Sequence, residues 1–195
     1  MRRIALLVVA GCSPLIDRDA ANYIPFAKYS RYVYLDQDGE RFVLTIQLSD
    51  SFYAILDWQG RLERLRYDGS WVHIDHRVEY SLNGSRILAY SGFIPYYSYP
   101  FVDGFNRSFT YAGNGFQFEI ASSTFIQEGL RYGVEISYRE SNPEGGRTFY
   151  RLYVFAPDTG IVEALIGPDT VFVAGDTLIS QIKSLTLEEE VPLGE

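Results

Sequence analysis

The chain reads as an all-β protein: antiparallel and hairpin-rich, built as a curved sheet, a sandwich or a half-barrel. Three features predict this. Apolar and polar residues alternate with period 2 along most of the chain after Tyr23, the pattern of a strand with one buried face. Asp-Gly and Asn-Gly dipeptides separate these runs, and both central positions of a type I′ hairpin turn need positive φ. Aromatic residues make up 16% of the 195 residues, with 16 Tyr, 13 Phe and 2 Trp, side chains suited to half-buried sheet positions.

Taken in order, Phe42, Leu44, Ile46 and Leu48 share one face of RFVLTIQL. Val72, Ile74, Val78, Tyr80 and Leu82 alternate through WVHIDHRVEYSL. Phe116, Phe118 and Ile120 do so in FQFEIA, and Tyr132, Val134, Ile136 and Tyr138 in YGVEISYR. Turns are expected at Asp38-Gly39, Asp68-Gly69, Asn83-Gly84, Asn114-Gly115 and the PDTG of Pro157–Gly160. Asp176–Leu187 (DTLISQIKSLTL) could run as a helix capped by Asp176, but a final strand is preferred. Residues 188–195 (EEEVPLGE) read as an acidic, solvated, disordered tail. Two stretches, from Tyr23 and from Tyr99, share an aromatic-Pro-Phe opening and a later turn-closed hairpin. Superposing Tyr34 on Tyr111 offsets them by 77 residues, so the β-domain of residues 23–187 divides into two candidate repeat units, 23–93 and 94–187.

The first dozen residues are of another kind. Arg2 and Arg3 precede an apolar run from Ile4 to Ala10, far shorter than the roughly 20 residues that span a bilayer. Val9-Ala10-Gly11-Cys12 closes the run and contains the single cysteine. Apolar, small, Gly or Ala, then Cys: this stretch resembles the lipobox of bacterial lipoprotein precursors. The resemblance implies a signal peptide of residues 1–11, cleavage between Gly11 and Cys12, and a diacylglyceryl group on the Cys12 thiol, with a further acyl chain such as palmitate on the new amino group. One chain binds a membrane only marginally, at about 0.8 kcal/mol per buried methylene, so two or three make the anchor stable. It also implies a bacterial cell-envelope location, at the periplasmic face of an outer membrane or at the cell surface. Ser13 follows the cysteine, which in enteric members permits export to the outer membrane. The alternative is that IALLVVA is the first buried strand. On the lipobox reading, residues 12–22 form a lipidated tether, which fully extended reaches about 36 Å. Beyond them, YIPF and YVFAPDTGIVEAL look loosely similar to uncharacterised all-β envelope lipoproteins.

Charge and thiol count narrow the function. The net charge is −8, and removing Arg2 and Arg3 makes it −10, a balance that repels nucleic acid and anionic headgroups. Attachment to a membrane must come from lipid. With Cys12 acylated there is no disulfide, no thiolate metal site and no cysteine nucleophile.

Candidate chemistry is sparse, and no catalytic, metal or cofactor site is expected. In WVHIDH, His73 and Asp75 share the polar face of a strand, whereas His76 falls on the apolar face with Ile74 and Val78. There it is either a satisfied inward histidine near a bulge or part of a cavity wall. Asp36-x-Asp38-Gly39-Glu40 reads as a hairpin turn rather than a calcium loop. Gly113-x-Gly115 has no helix after it to make a phosphate cradle. The acids Asp57, Glu63, Glu119, Glu135 and Glu163 lie in strands, where scattered acids usually serve solubility. The segment GFIPYYSYPFVDGF, with six aromatics and two prolines, reads as a loop or crossover strap. Tyr96, Tyr97, Tyr99 and Phe101 within it, together with His76, form the candidate binding surface.

These features rank three functions. First is a non-catalytic, lipid-anchored envelope protein whose β-domain binds or scaffolds another envelope component. Second is a carrier or sensor of an apolar ligand in an aromatic-lined curved sheet, by analogy with half-barrel lipoprotein carriers. Last is a hydrolase acting through two carboxylates. A ring-filled core favours the first, an apolar cavity of several hundred Å³ the second, and two convergent acids about 5–10 Å apart the third.

Overall fold

In a computed structural model, residues 29–50, 53–113, 115–128, 130–173 and 176–192 are described. Every regular element among them is a strand: β1 (Tyr29–Asp36), β2 (Arg41–Asp50), β3 (Tyr53–Trp58), β4 (Arg61–Tyr67), β5 (Trp71–Leu82), β6 (Ser85–Ser98), β7 (Asn106–Gly113), β8 (Phe116–Ile126), β9 (Tyr132–Asn142), β10 (Gly145–Ala156), β11 (Gly160–Ile166), β12 (Thr170–Val173), β13 (Asp176–Ile179) and β14 (Lys183–Pro192). The signal, Cys12 and the tether lie outside the described residues.

The strands form one antiparallel sheet in the order β6-β5-β4-β3-β2-β1-β14-β11-β10-β9-β8-β7, with β12 pairing β10 and β13 off this path. Its two edges, β6 and β7, are consecutive in sequence, and the sheet curls until they face each other. Tyr90 of β6 meets Tyr111 of β7 at 5.0 Å and Phe118 of β8 at 5.2 Å, so side chains, not a ladder, close the seam. The result is nearly a barrel.

Alternation decides which rings fill it. Phe42, Leu44 and Ile46 are buried, as are Phe116, Phe118, Ile120, Tyr132, Val134, Ile136 and Tyr138. Trp58 stacks on Tyr153 across the interior at 5.8 Å, and Phe101 meets Phe155 at 4.8 Å. Offset and edge-on ring pairs of this kind contribute about 0.5–1.5 kcal/mol each beyond burial. Asn83 (φ 52°) and Gly84 (φ 77°) make the type I′ turn expected between β5 and β6. Gln59 (φ 52°) and Gly60 (φ 95°) make another between β3 and β4, a Gln-Gly turn that the Asn-Gly and Asp-Gly signature passes over.

Two expectations are corrected. GFIPYYSYPFVDGF is not a loop: its first seven residues complete β6. Pro95 is tolerated there because β6 is an edge strand, and a bulge in β6 itself, where the ladder skips Tyr96 opposite Val72 and His73, accommodates it. Residues Glu188 to Pro192 belong to β14 rather than to a disordered tail. They pair with β1 through Arg31↔Val191, Tyr32↔Glu190 and Val33↔Glu189. Glu188 and Glu189 are exposed and meet Arg41 at 3.3 and 3.2 Å, Glu190 is half-buried opposite Tyr32, and Val191 is buried. Asp176–Leu187 forms strand, as preferred, but broken at 180–182 into β13 and β14. The strands at the 77-residue offset, β1 and β7, occupy different places, one mid-sheet and one at the edge.

The registers give the barrel two distinct ends. Asp36, Trp58, Leu82, Gly113, Asn142 and Lys183 bound their strands at one end, where the hairpin tips gather. A Cβ added at Gly115 would lie 3.4 Å from the Tyr80 hydroxyl and 3.7 Å from Pro143, so three tips touch there. Tyr29 and Pro192 pair at the other end, where the chain enters the sheet.

Candidate functional site

The interior carries charge that sequence reading assigned to solvent. In β4 (RLERLRY), Glu63 shares its face with Leu65 and Tyr67, and that face is inward. Glu63 is 2% exposed, while Leu62 beside it is 51% exposed. Tyr153 of β10 donates to both carboxylate oxygens at 3.0 and 3.2 Å, and Tyr96 of β6 donates at 3.4 Å. Arg61 Nη2 stands 3.8 Å away. Burial pushes the Glu63 carboxyl up; Arg61 and the tyrosine hydroxyls oppose this without cancelling it. Burial likewise raises the hydroxyls of Tyr96 and Tyr153 well above the ordinary phenol.

Next to Glu63 lies a second cluster around Asp169, between β11 and β12. Arg151, fully buried, places Nη2 2.7 Å from Asp169 Oδ1. The N–H bonds are not aligned on that oxygen, so the contact is Coulombic rather than a directed hydrogen bond. Arg61 and Arg147 reach Asp169 Oδ2 at 3.5 and 3.7 Å. All three guanidinium groups flank the Phe149 ring, Arg151 at 4.9 Å, Arg147 at 5.7 Å and Arg61 at 6.0 Å. Ser180 fixes the Asp169 backbone in both directions at 2.8 Å.

His76 joins the same region from β5. Its Nε2 lies 2.7 Å from the Tyr138 hydroxyl, which donates to Glu140 Oε2 at 2.7 Å. The hydroxyl has one proton, so it accepts from His76 Nε2–H. The ring packs edge-on against Phe118 and Tyr138 at 5.1 and 5.0 Å. Burial, aided by the field of Arg147, pushes the imidazole down to about 4, so it is neutral at pH 7. Of its two sequence readings, the satisfied inward histidine is the one observed, and a bulge does follow at Val78/Glu79.

A cleft of about 470 Å³ opens beside this cluster, at the end where the hairpin tips gather. Its walls are the β5 segment from Arg77 to Ser81, the β9–β10 hairpin, and the Asp169–Phe172 stretch.

Tyr96, Tyr97 and Phe101 are 1%, 2% and 4% exposed, so they are core and not a binding surface; Tyr99 is half-buried against Tyr67 and Phe101. His73 sits 3.6 Å from Asp68, and exposed Asp75 sits 3.7 Å from Arg64. Asp36 accepts from the backbone N–H groups of Asp38 and Glu40 at 2.9 Å, an Asx-type turn that lowers its carboxyl. The strand acids do not gather: Asp57 caps the Gly60 turn, Glu135 accepts from Ser123 and Tyr150, and Glu163 pairs with Arg131. Among the described residues, no three His, Cys, Asp or Glu side chains form a metal-sized group. Gly11 and Cys12 lie outside the described residues.

Architecture thus defines the class, an all-β antiparallel sheet nearly closed on a ring-filled and partly charged interior. No protein-family model and no curated protein matches this chain. Among solved structures it is similar to a lipoprotein candidate from Parabacteroides distasonis ATCC 8503, at 11% identity and a TM-score of 0.39, over 88% of this chain and 99% of that one. A likeness that distant carries no argument about function.

Proposed function

We propose that the chain is a non-catalytic, lipid-anchored protein of the bacterial cell envelope, which holds a β-domain at a membrane surface and offers it to another envelope component. The observation that carries this reading is Val9-Ala10-Gly11-Cys12 at the close of a short apolar run behind Arg2 and Arg3. The fold is compatible with it. The chain enters β1 at the end opposite the cleft, so a tether from Cys12 would leave the cleft facing away from the membrane. Rings fill the interior where an apolar cargo would otherwise sit, which ranks the carrier reading second. The scattered strand acids rank a carboxylate hydrolase last.

Radiolabelled palmitate fed to expressing cells should enter the wild-type protein and not Cys12→Ser, and the mature protein should begin at Cys12. Equal labelling of both, or a cytosolic product that retains Met1, would refute the anchor.

A further inference from the structure

The cleft at the hairpin-tip end has a chemistry that the anchor does not explain. Glu140 of β9 and Arg147 of β10 are direct cross-strand partners, so their side chains leave the ladder side by side, with Cβ atoms about 5 Å apart. The next residue in that row is Val171 of β12, paired with Arg147. An acceptor, a donor and an apolar group therefore stand in line along one wall of the cleft.

The remaining capacity of these groups points to a ligand. Glu140 Oε2 receives the Tyr138 proton, but Oε1 has only a 3.5 Å contact from Asn142 Nδ2. The Arg147 Nε–H is buried and has no acceptor. The Arg147 side chain as a whole is 43% exposed, so its guanidinium and the Glu140 carboxylate are the donor and the acceptor that line the cleft. Most other charges of the cleft are already paired, while Glu144 of the β9–β10 tip also lines it. Glu79 is bound by Arg77 and Arg86, and Asp169 by three arginines. The site therefore offers hydrogen-bonding complementarity rather than a net field for a simple ion. Phe172, 43% exposed at the rim, adds an apolar plate. Gly146 also lines the cleft, and a Cβ there would come within 2.4 Å of the Glu140 carbonyl oxygen, so β9 and β10 approach closely at this point.

We infer that this cleft binds a neutral saccharide unit, with vicinal hydroxyls bridging Glu140 and Arg147 and a C–H face against Val171 and Phe172. A hydroxyl is donor and acceptor at once, and two on adjacent ring carbons match a carboxylate beside a guanidinium. The volume falls within the roughly 300–1,000 Å³ of small-molecule sites. This reading names a ligand class for the binding role proposed above and stands apart from the lipid: Cys12→Ser protein should bind the same sugars.

The test is saturation-transfer NMR on the full chain in detergent micelles, with maltose, cellobiose and N,N′-diacetylchitobiose as probes. At least one disaccharide should show transfer at its ring protons, weakened about tenfold or more in Glu140→Gln and in Phe172→Ala. Should Glu140→Gln fail to fold, Phe172→Ala, on the exposed ribbon, carries the comparison alone. Silence from all three sugars overturns the proposal. So does undiminished binding in the folded variants, or preferential uptake of inorganic phosphate or spermidine at the cleft. A protein that binds sugar but incorporates no palmitate would refute the anchor and leave the cleft standing.

Discussion

His76→Phe tests how the interior couples to pH. In the unfolded chain an imidazole titrates near 6.5. In the folded barrel His76 is held down to about 4, because burial among Phe118, Tyr138 and Tyr90 disfavours the cation and Arg147 adds repulsion. Between these values the unfolded state carries a proton that the folded state does not. Unfolding therefore takes up a proton, and stability falls as pH falls from about 6.5 to about 4, with the loss complete below that. At about 1.36 kcal/mol per tenfold step in proton affinity, the loss amounts to about 3 kcal/mol as an upper figure. Phenylalanine keeps the edge-on ring contacts. It removes only the bond to Tyr138, whose own proton still goes to Glu140. At pH 7 the variant should lie within about 1 kcal/mol of wild type. Urea unfolding at pH 7.5, 6, 5 and 4 should then show a gap that opens in favour of His76→Phe as pH drops. Glu63, whose carboxyl is raised, pulls the other way, but equally in both proteins. Parallel pH profiles for the two would refute the buried, neutral imidazole.

Three further outcomes follow from contacts described above. Arg151→Met removes the fully buried partner of Asp169 and should cost about 3 kcal/mol in urea unfolding; adding Asp169→Asn should recover part of it, and strictly additive losses would show that the two charges do not act as a pair. Gly146→Ala drives a Cβ to 2.4 Å from a backbone oxygen and should cost about 1–3 kcal/mol, read as a lowered thermal midpoint. Tyr34→Phe deletes a buried hydrogen bond to the Ile161 carbonyl, at 2.8 Å and 127 residues away in sequence, and should cost about 1 kcal/mol by the same measurement.

Strand content was legible because period-2 alternation and turn dipeptides are local signals. Phe42, Leu44 and Ile46 face inward as their spacing requires, and Asn83-Gly84 turns as its φ freedom allows. Glu63 was not legible. RLERLRY places Leu62 and Leu65 three apart, which is no strand period, and the carboxylate that shares the face of Leu65 looked like a solubilising charge. What buries it are hydroxyls from β10 and β6, 90 and 33 residues away, and no local pattern reports such partners. Tyr96 and Tyr97 failed for a related reason. Two prolines and an aromatic cluster resemble a strap, until the segment is known to be an edge strand with its bulge partner in β5. The same nonlocality hid Glu140 and Arg147, which become neighbours only through the β9–β10 register. The acidic run 188–190 hides its strand because exposed Glu188 and Glu189 on a paired strand look, in sequence, like a solvated tail.

The pairing of β1 with β14 sets the order in which the fold can be completed. β1 lies mid-sheet, and its second neighbour, β14, is synthesised after the other described strands. The meander β1 to β6 can assemble early, and so can β7 to β11, but no hydrogen-bonded ladder joins them until residues 183–192 arrive and zip between β1 and β11. Closing a loop of that span is entropically slow. Until then the inner edges of both meanders expose unpaired backbone, the kind of surface on which chains aggregate. A C-terminal truncation at residue 182 would thus strand two half-sheets rather than trim a tail, and a holding chaperone would find its longest-lived client surface along β1.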